Sequence, residues 1–363
     1  MTSDTATEVT DDMFDIMKSA SRKDDVFGID PSVNELEHHV AKLFGHEASL
    51  FCASGSMTNQ LGLRTLLTQP PHSVLCDSRS HIYLYECGGL AYHSQAGLTP
   101  TLPKNELYLT AEDVQANIVT DDLCGALTKV IALENTLNGT VMPLDELQRI
   151  HTFARKQNIK LHLDGARIWN ASQATGVALA DYGQLFDTIS VCVSKGVGAP
   201  IGSLVIGSSE IIRKARHLRK LMGGGWRQAG LLAKVAHHCI DTVVPTMPET
   251  HRLTKKLATK LEALGMRTLL PVDTNMVFLE TAPLSIVELA DALHEHNIVI
   301  SRDEGSVTRL VLHHQIDAKA VDDFIRVASK LVQAKVDAKF SLPPSSKEAV
   351  DISKAYPTAS VKL

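Results

Sequence analysis

Asp164, in the run His162-Leu163-Asp164-Gly165-Ala166-Arg167, and Lys195, in Ser194-Lys195-Gly196, each close a short apolar stretch of the chain. Active sites of open α/β sheets collect at the carboxyl ends of strands, so an acid ending one strand and a lysine ending the next converge. Pyridoxal 5'-phosphate needs that pair. The lysine holds the cofactor as a Schiff base, and the carboxylate pairs with the protonated pyridine nitrogen so that the ring accepts electrons. Ser54-Gly55-Ser56-Met57 stands between a short strand and a helix, where free N–H groups and the helix dipole favour a phosphate dianion. His81 opens a helix after the strand ending at Asp77, placed for an imidazole to stack on a pyridine face. Taken singly, each feature also has a plain structural reading: a surface lysine, a turn aspartate, a strand-to-helix turn, a structural histidine.

The elements that must position these residues follow from hydrophobic patterning. Short β-branched runs alternate with segments of helical period from about residue 35 to 210, the arrangement of a mostly parallel sheet covered by helices on both faces. Strands are predicted over 49–52, 73–76, 129–134, 160–163, 188–193 and 203–206. Helices are expected in NQLGLRTLLTQ and in PLDELQRIHTFARKQ, where Pro143 and the acidic pair Asp145 and Glu146 mark the first turn. Residues 208–264 read as helices broken at Gly223-Gly224-Gly225, and 274–336 as strand, helix, strand, strand, helix, a smaller C-terminal α/β domain. From Ser341 the chain is rich in proline and serine and is expected to be a flexible tail.

Composition narrows the chemistry. The 363 residues, 44% apolar, can fill a sizeable core. A formal charge of -5 gives no electrostatic reason to expect nucleic acid or an anionic membrane as partner. Six cysteines lie far apart without a C-x-x-C pair, which suggests buried reduced thiols and neither a disulfide frame nor a metal site. No apolar run approaches the roughly 20 residues that span a bilayer, and the polar, acidic start MTSDTATEVTDD is unlike a secretory signal. A cytoplasmic location is expected. The closing Val361-Lys362-Leu363 comes near the peroxisomal S-K-L address but lacks its serine.

From Ser3-Asp4-Thr5 through DDVFGIDPSVNELE, SLFCASGSMTNQ, SHIYLYECGGLA, LENTLNG, HLDGARIWNA, SVCVSKGVGAPIGSLVIG, LRKLMGGGWRQ and DTNMVF to TRLVLHH, the chain resembles the low-specificity L-threonine aldolase family of fold-type I pyridoxal phosphate enzymes. The resemblance covers about residues 3 to 335, in order, and is strongest to fungal members. It implies an active-site contribution from residues 1–30, a large cofactor-binding domain over 31–250 and a small domain over 251–340. Lys195 then matches the Schiff-base lysine, Asp164 the partner of the pyridine nitrogen and His81 the stacked imidazole. Gly55, Ser56 and Met57 match the phosphate turn, and Arg227 the arginine that reaches the phosphate. Ser3, Arg167 and Arg309 match groups holding the carboxylate of a small amino-acid substrate, a task suited to the guanidinium fork. A homodimer or homotetramer is implied as well.

Two departures from the family pattern bear on the reaction. Cys124, in DLCGALT, stands where the family carries a histidine associated with the substrate β-hydroxyl, and Phe27 stands where most members carry tyrosine. A thiol with a pKa near 8.5 is a poorer proton acceptor at neutral pH than imidazole. Racemisation asks nothing of a β-hydroxyl. Lys195 can remove the α-proton from one face, and Cys124 is a credible donor on the other. Fungal relatives include alanine racemases that supply D-alanine for nonribosomal peptides. The sequence reading therefore places alanine racemisation ahead of threonine cleavage, with a catalytically silent scaffold as a third reading.

Overall fold

The computed structural model describes residues 1–121, 123–302 and 305–337, so the expected tail lies outside the described residues. The chain divides into two units. The larger comprises Glu8–Leu137 and Val141–Pro245. It is built on seven strands: β1 (Ala48–Cys52), β2 (His72–Asp77), β3 (Ala96–Thr101), β4 (Thr128–Glu134), β5 (Lys160–Asp164), β6 (Thr188–Cys192) and β7 (Ser203–Gly207). Their order is β1-β7-β6-β5-β4-β2-β3. β3, β2, β4, β5 and β6 pair in parallel, and β7 runs antiparallel to both its neighbours.

The central strands β2, β6 and β7 are buried along their whole length, so that β7 reads as the apolar run Leu204 to Ile206 while β2 and β6 bury His72, Ser73, Thr188 and Ser190 beside their apolar residues. β3 was not predicted. Its sequence AGLTPT holds a single large apolar residue, Leu98, and Pro100 is tolerated because β3 forms the edge of the sheet. The crossover from β1 to β2 is the helix Gly55–Leu66, capped by Ser54, whose Oγ accepts from Met57 N at 3.3 Å. The basic helix Ser209–Leu221 ends just before the glycine triplet, and the next helix, Gly230–Val243, starts after it.

The smaller unit comprises Met1–Thr7, Asn138–Thr140 and the described residues from Thr246 on. Its antiparallel sheet has the order β10-β9-β8, formed by β8 (Arg267–Thr268), β9 (Met276–Glu280) and β10 (Val307–Val311). Leu257, Leu261, Val277, Leu293, Leu310 and Phe324 fill its core. A strand expected between the helix Ile286–His294 and β10 does not form among the described residues. Ile298 and Ile300 are buried and Val299 is exposed, so the alternation marks burial without strand pairing. Met1 takes the backbone bonds instead: its amino group donates to Val299 O, and its carbonyl accepts from Val311 N at 3.1 Å. Among the residues expected to form an N-terminal segment, Met1–Thr7 therefore belongs with the C-terminal unit and the remainder with the larger one.

Candidate active site

The parallel strands β2, β4 and β5 end on Asp77, Glu134 and Asp164, a row of acids along one edge of the large sheet, with Glu134 registered directly against Asp164. Asp77 is neutralised by Arg79 at 2.7 Å. Asp164 is buried, and its two oxygens accept from Asn59 Nδ2 at 2.7 Å and Ala166 N at 3.1 Å. Burial, and then the charge of Asp164, raises the Glu134 carboxyl to about 8, so it is protonated at neutral pH. Lys195 opposes that shift. Glu134 thus senses both members of the acid and lysine pair that the sequence brought forward.

A buried network holds Asp164 in place. Asn59 gives both amide hydrogens to carboxylates, Asp164 at 2.7 Å and Glu86 at 2.8 Å. Its carbonyl oxygen therefore faces His162 Nε2 at 3.0 Å, which fixes the proton on that nitrogen, and His162 Nδ1 accepts from Thr188 Oγ1 at 2.9 Å. Burial pushes His162 down to about 4, consistent with a neutral ring. Glu86 also accepts from Gln60 Nε2 at 2.6 Å and from His81 Nδ1 at 2.9 Å. The hydrogen bond to Glu86 raises the pKa of His81 above the ordinary value of 6.5, against the opposing effect of burial. With Nδ1 committed to Glu86 and 38% of the side chain exposed, Nε2 is the nitrogen available to a substrate.

The phosphate turn lies against the strand that leads to the lysine. A Cβ on Gly55 would stand 2.8 Å from Cys192 Sγ, the last residue of β6, so only glycine permits the approach. Thr58 Oγ1 and Ser190 Oγ, 2.6 Å apart, tie the same helix to β6. Three residues after Cys192, Lys195 sits in a tight turn closed by Gly198 N donating to Lys195 O at 2.7 Å, with Gly198 at φ +84°. The first N–H groups of the helix Gly55–Leu66 have no intrahelical acceptor. Trp226 Nε1, on a ring 5.0 Å from Phe51, is shielded from solvent with no hydrogen bond among the described residues.

The remaining predicted residues are divided between the two units. Arg167 is part-buried at the start of the helix Ile168–Thr175. Arg227 donates to Asp24 at 2.8 Å and lies 5.9 Å from the ring centre of Phe27, an exposed cation–π contact. Ser3 and Arg309 belong to the smaller unit: Ser3 Oγ is 2.8 Å from Thr5 Oγ1, and Arg309 stands in β10 opposite Phe278.

Cys124 is not brought to Lys195 within the chain. Its loop precedes β4, and Ser73, at the start of β2, donates to Ala126 O at 2.8 Å, which fixes the loop at the amino edge of the parallel strands. Seven residues of β4 separate that edge from Glu134, about 20 Å at the strand rise. Cys124 and Cys87 are also exposed, contrary to the expectation of buried thiols; the other four cysteines are buried. Asn59, Glu86, Glu134 and His162 escaped the sequence reading, although Glu86 lies inside the SHIYLYECGGLA run.

A lysine after β6, a fixed acid ending β5, a capped helix start packed on β6 and a part-exposed imidazole supply a positive phosphate seat, a partner for a pyridinium nitrogen and an amine for a covalent bond. These residues fit pyridoxal 5'-phosphate, and the fold and site define a fold-type I enzyme that uses it. Comparison with known proteins narrows the class. A family model described as β-eliminating lyase matches residues 1–283, and the chain belongs to that family. It is 48% identical over 281 residues to the low-specificity L-threonine aldolase of Eremothecium gossypii, covering 77% of this chain and 74% of that one. With an alanine racemase of Cochliobolus carbonum it shares 34% over 322 residues, 86% of this chain and 82% of the other. A Leishmania major threonine aldolase structure, 20% identical, superimposes with a TM-score of 0.77 over 91% of this chain and 98% of its own, a likeness of fold. Among the described residues, no helix is long and apolar enough to cross a membrane.

Proposed function

We propose that the chain cleaves threonine and related β-hydroxy-α-amino acids to glycine and an aldehyde. The observation that carries this reading is the Glu86–His81 pair, with Nδ1 held at 2.9 Å and Nε2 left open. Retro-aldol cleavage requires a base for the β-hydroxyl proton as the Cα–Cβ bond breaks, and a carboxylate behind an imidazole both fixes its tautomer and raises its basicity. The bound cofactor supplies the electron sink for the pair left on Cα. His81 takes the hydroxyl proton, the aldehyde departs, and a proton delivered to Cα completes glycine. In this reading Lys195 holds the cofactor and Asp164 faces its ring nitrogen. Gly55, Ser56 and Met57 seat the phosphate, and Arg227 reaches it with donors that Asp24 does not use. Ser3, Arg167 and Arg309 hold the substrate carboxylate.

The sequence reading favoured alanine racemisation because Cys124 offered a second proton donor. That reading is revised. Cys124 stands at the opposite edge of the strands within the chain, and the 48% relative is named as an aldolase against 34% for the racemase. A homo-oligomer is part of the proposal, supported by the exposed apolar side chains of Leu84, Tyr92, Leu102 and Leu123. The deciding assay offers L-threonine, L-allo-threonine and L-alanine side by side. Acetaldehyde and glycine are expected to form at least about tenfold faster than D-alanine, more than 1 kcal/mol of barrier; faster D-alanine formation overturns the proposal.

A further inference from the structure

Away from Lys195, three metal-ligating side chains meet where the helix Pro31–Leu43 packs on the helix Gly230–Val243. His237 and Asp241 stand four positions apart and so share one face of the second helix, and His39 comes from the first. His39 Nε2 lies 3.2 Å from Asp241 Oδ1, and His237 Nε2 lies 3.7 Å from Asp241 Oδ2. The two rings are 4.3 Å apart with planes tilted by 33°. One donor atom from each of the three residues lies within 4.8 Å of the other two.

His39 Nε2 is closed to solvent and forms no hydrogen bond among the described residues. Donors on a tetrahedral ion with bonds of about 2.0–2.2 Å stand roughly 3.3–3.6 Å apart; His39 and Asp241 already stand at 3.2 Å, and the three donors, all within 4.8 Å of one another, need only small side-chain shifts to close on an ion. The neighbouring charges Glu35 and Lys234 are paired with each other at 3.4 Å.

We propose that His39, His237 and Asp241 bind a divalent first-row metal ion, zinc by the ligand set of two imidazoles and one carboxylate. Water completes the shell on the side where Asp241 is 55% exposed. The ion ties the two helices together. The test uses untagged holoenzyme, stripped with EDTA, dialysed and titrated with zinc chloride by calorimetry. One equivalent per chain is expected at micromolar affinity or better, and zinc at a hundred times that Kd raises the unfolding midpoint by about 3 °C. His39→Gln and His237→Gln, close to histidine in size, should each weaken binding at least about tenfold and remove the shift. Absence of binding tighter than about 100 μM, weaker than the sites this ligand set forms, overturns the proposal. So does unchanged zinc affinity in the two variants, which would place the ion elsewhere, for example on the exposed Cys87 or Cys124. Should the histidine variants not fold, Asp241→Asn, at a half-exposed position, makes the same distinction.

Discussion

Replacing Asn59 by leucine removes the centre of the buried network while keeping the number and branching of side-chain heavy atoms, so that the polar contacts are lost without opening a cavity. Asn59 is 1% exposed and donates to Glu86 at 2.8 Å and Asp164 at 2.7 Å, while its oxygen accepts from His162 at 3.0 Å. Two hydrogen bonds to charged groups contribute about 1.5–3 kcal/mol each and the neutral one about 1. Burial of the apolar side chain returns about 1–2 kcal/mol, leaving a net loss of about 3–5. The facing oxygens of Glu86 and Asp164 lie within 4.8 Å of each other, where two like charges repel by about 3.5 kcal/mol at an effective dielectric of 20. The amide between them offsets that repulsion, and leucine does not. An unfolding entropy near 2.1 cal/mol/K per residue converts the loss into a fall of about 4–7 °C in the thermal midpoint. The assay is circular dichroism melting of wild type and Asn59→Leu with saturating pyridoxal phosphate, together with cofactor content after dialysis. Cofactor retention should drop as well, because Asp164 loses the donor that orients it. A midpoint within about 1 °C of wild type with full cofactor retention would refute the network argument.

Lys195→Ala should abolish borohydride-fixed cofactor and nearly all turnover; peptide mapping that finds the label on another lysine reassigns the site. Asp164→Asn keeps the shape but removes the charge facing the ring nitrogen, and should cost at least about tenfold in kcat, on the scale of a lost preorganised charge; a smaller loss in a steady-state assay disproves the assignment. His81 is raised above 6.5, chiefly by Glu86, and must be neutral to accept a proton. The acid limb of kcat/KM therefore lies above 6.5 in the wild type, and Glu86→Gln should move it to lower pH; a limb that stays in place removes His81 as the base. Cys124→Ala should leave threonine cleavage within about threefold, under 1 kcal/mol of barrier, given its place at the amino edge of the strands. A loss of about a hundredfold, the scale of a missing general acid or base, would restore the thiol to the chemistry.

The two units differ in how far their sequences reveal them. β2, β6 and β7 are buried on both faces and carry short clusters of Val, Ile, Leu and Cys, which hydrophobic patterning detects. β3, with Leu98 as its single large apolar residue and holding Pro100, satisfies only an edge and carries no such cluster. Residues 298–300 alternate like a strand, yet Met1, far away in sequence, takes the backbone partners. Within the site, Lys195 and Asp164 were legible because each ends a strand in its own local pattern. Asn59 was not, since its role exists only through partners distant in sequence: Glu86, 27 positions on, His162, 103 on, and Asp164, 105 on. A polar residue buried in a helix that otherwise packs apolar neighbours is the signal available, and Asn59 and Gln60 carry it in adjacent positions.

Cys124 shows the opposite failure, a residue whose linear motif was clear and whose place in the fold was not. Its position in the family pattern said which group it replaces, but only chain direction decides at which end of β4 it stands. Racemisation and retro-aldol cleavage both leave an electron pair on Cα, so the residues that stabilise that pair cannot separate them. What separates them is the demand for protons: racemisation needs a group on each face of Cα, whereas cleavage needs one base at the β-oxygen. Beside Asp164 stands an imidazole with a carboxylate fixed behind it, His81 on Glu86, with the thiol at the far edge of the strands. A site with such an oriented base is what the proposed cleavage requires, and the group supported from behind is the ground on which it is preferred to racemisation.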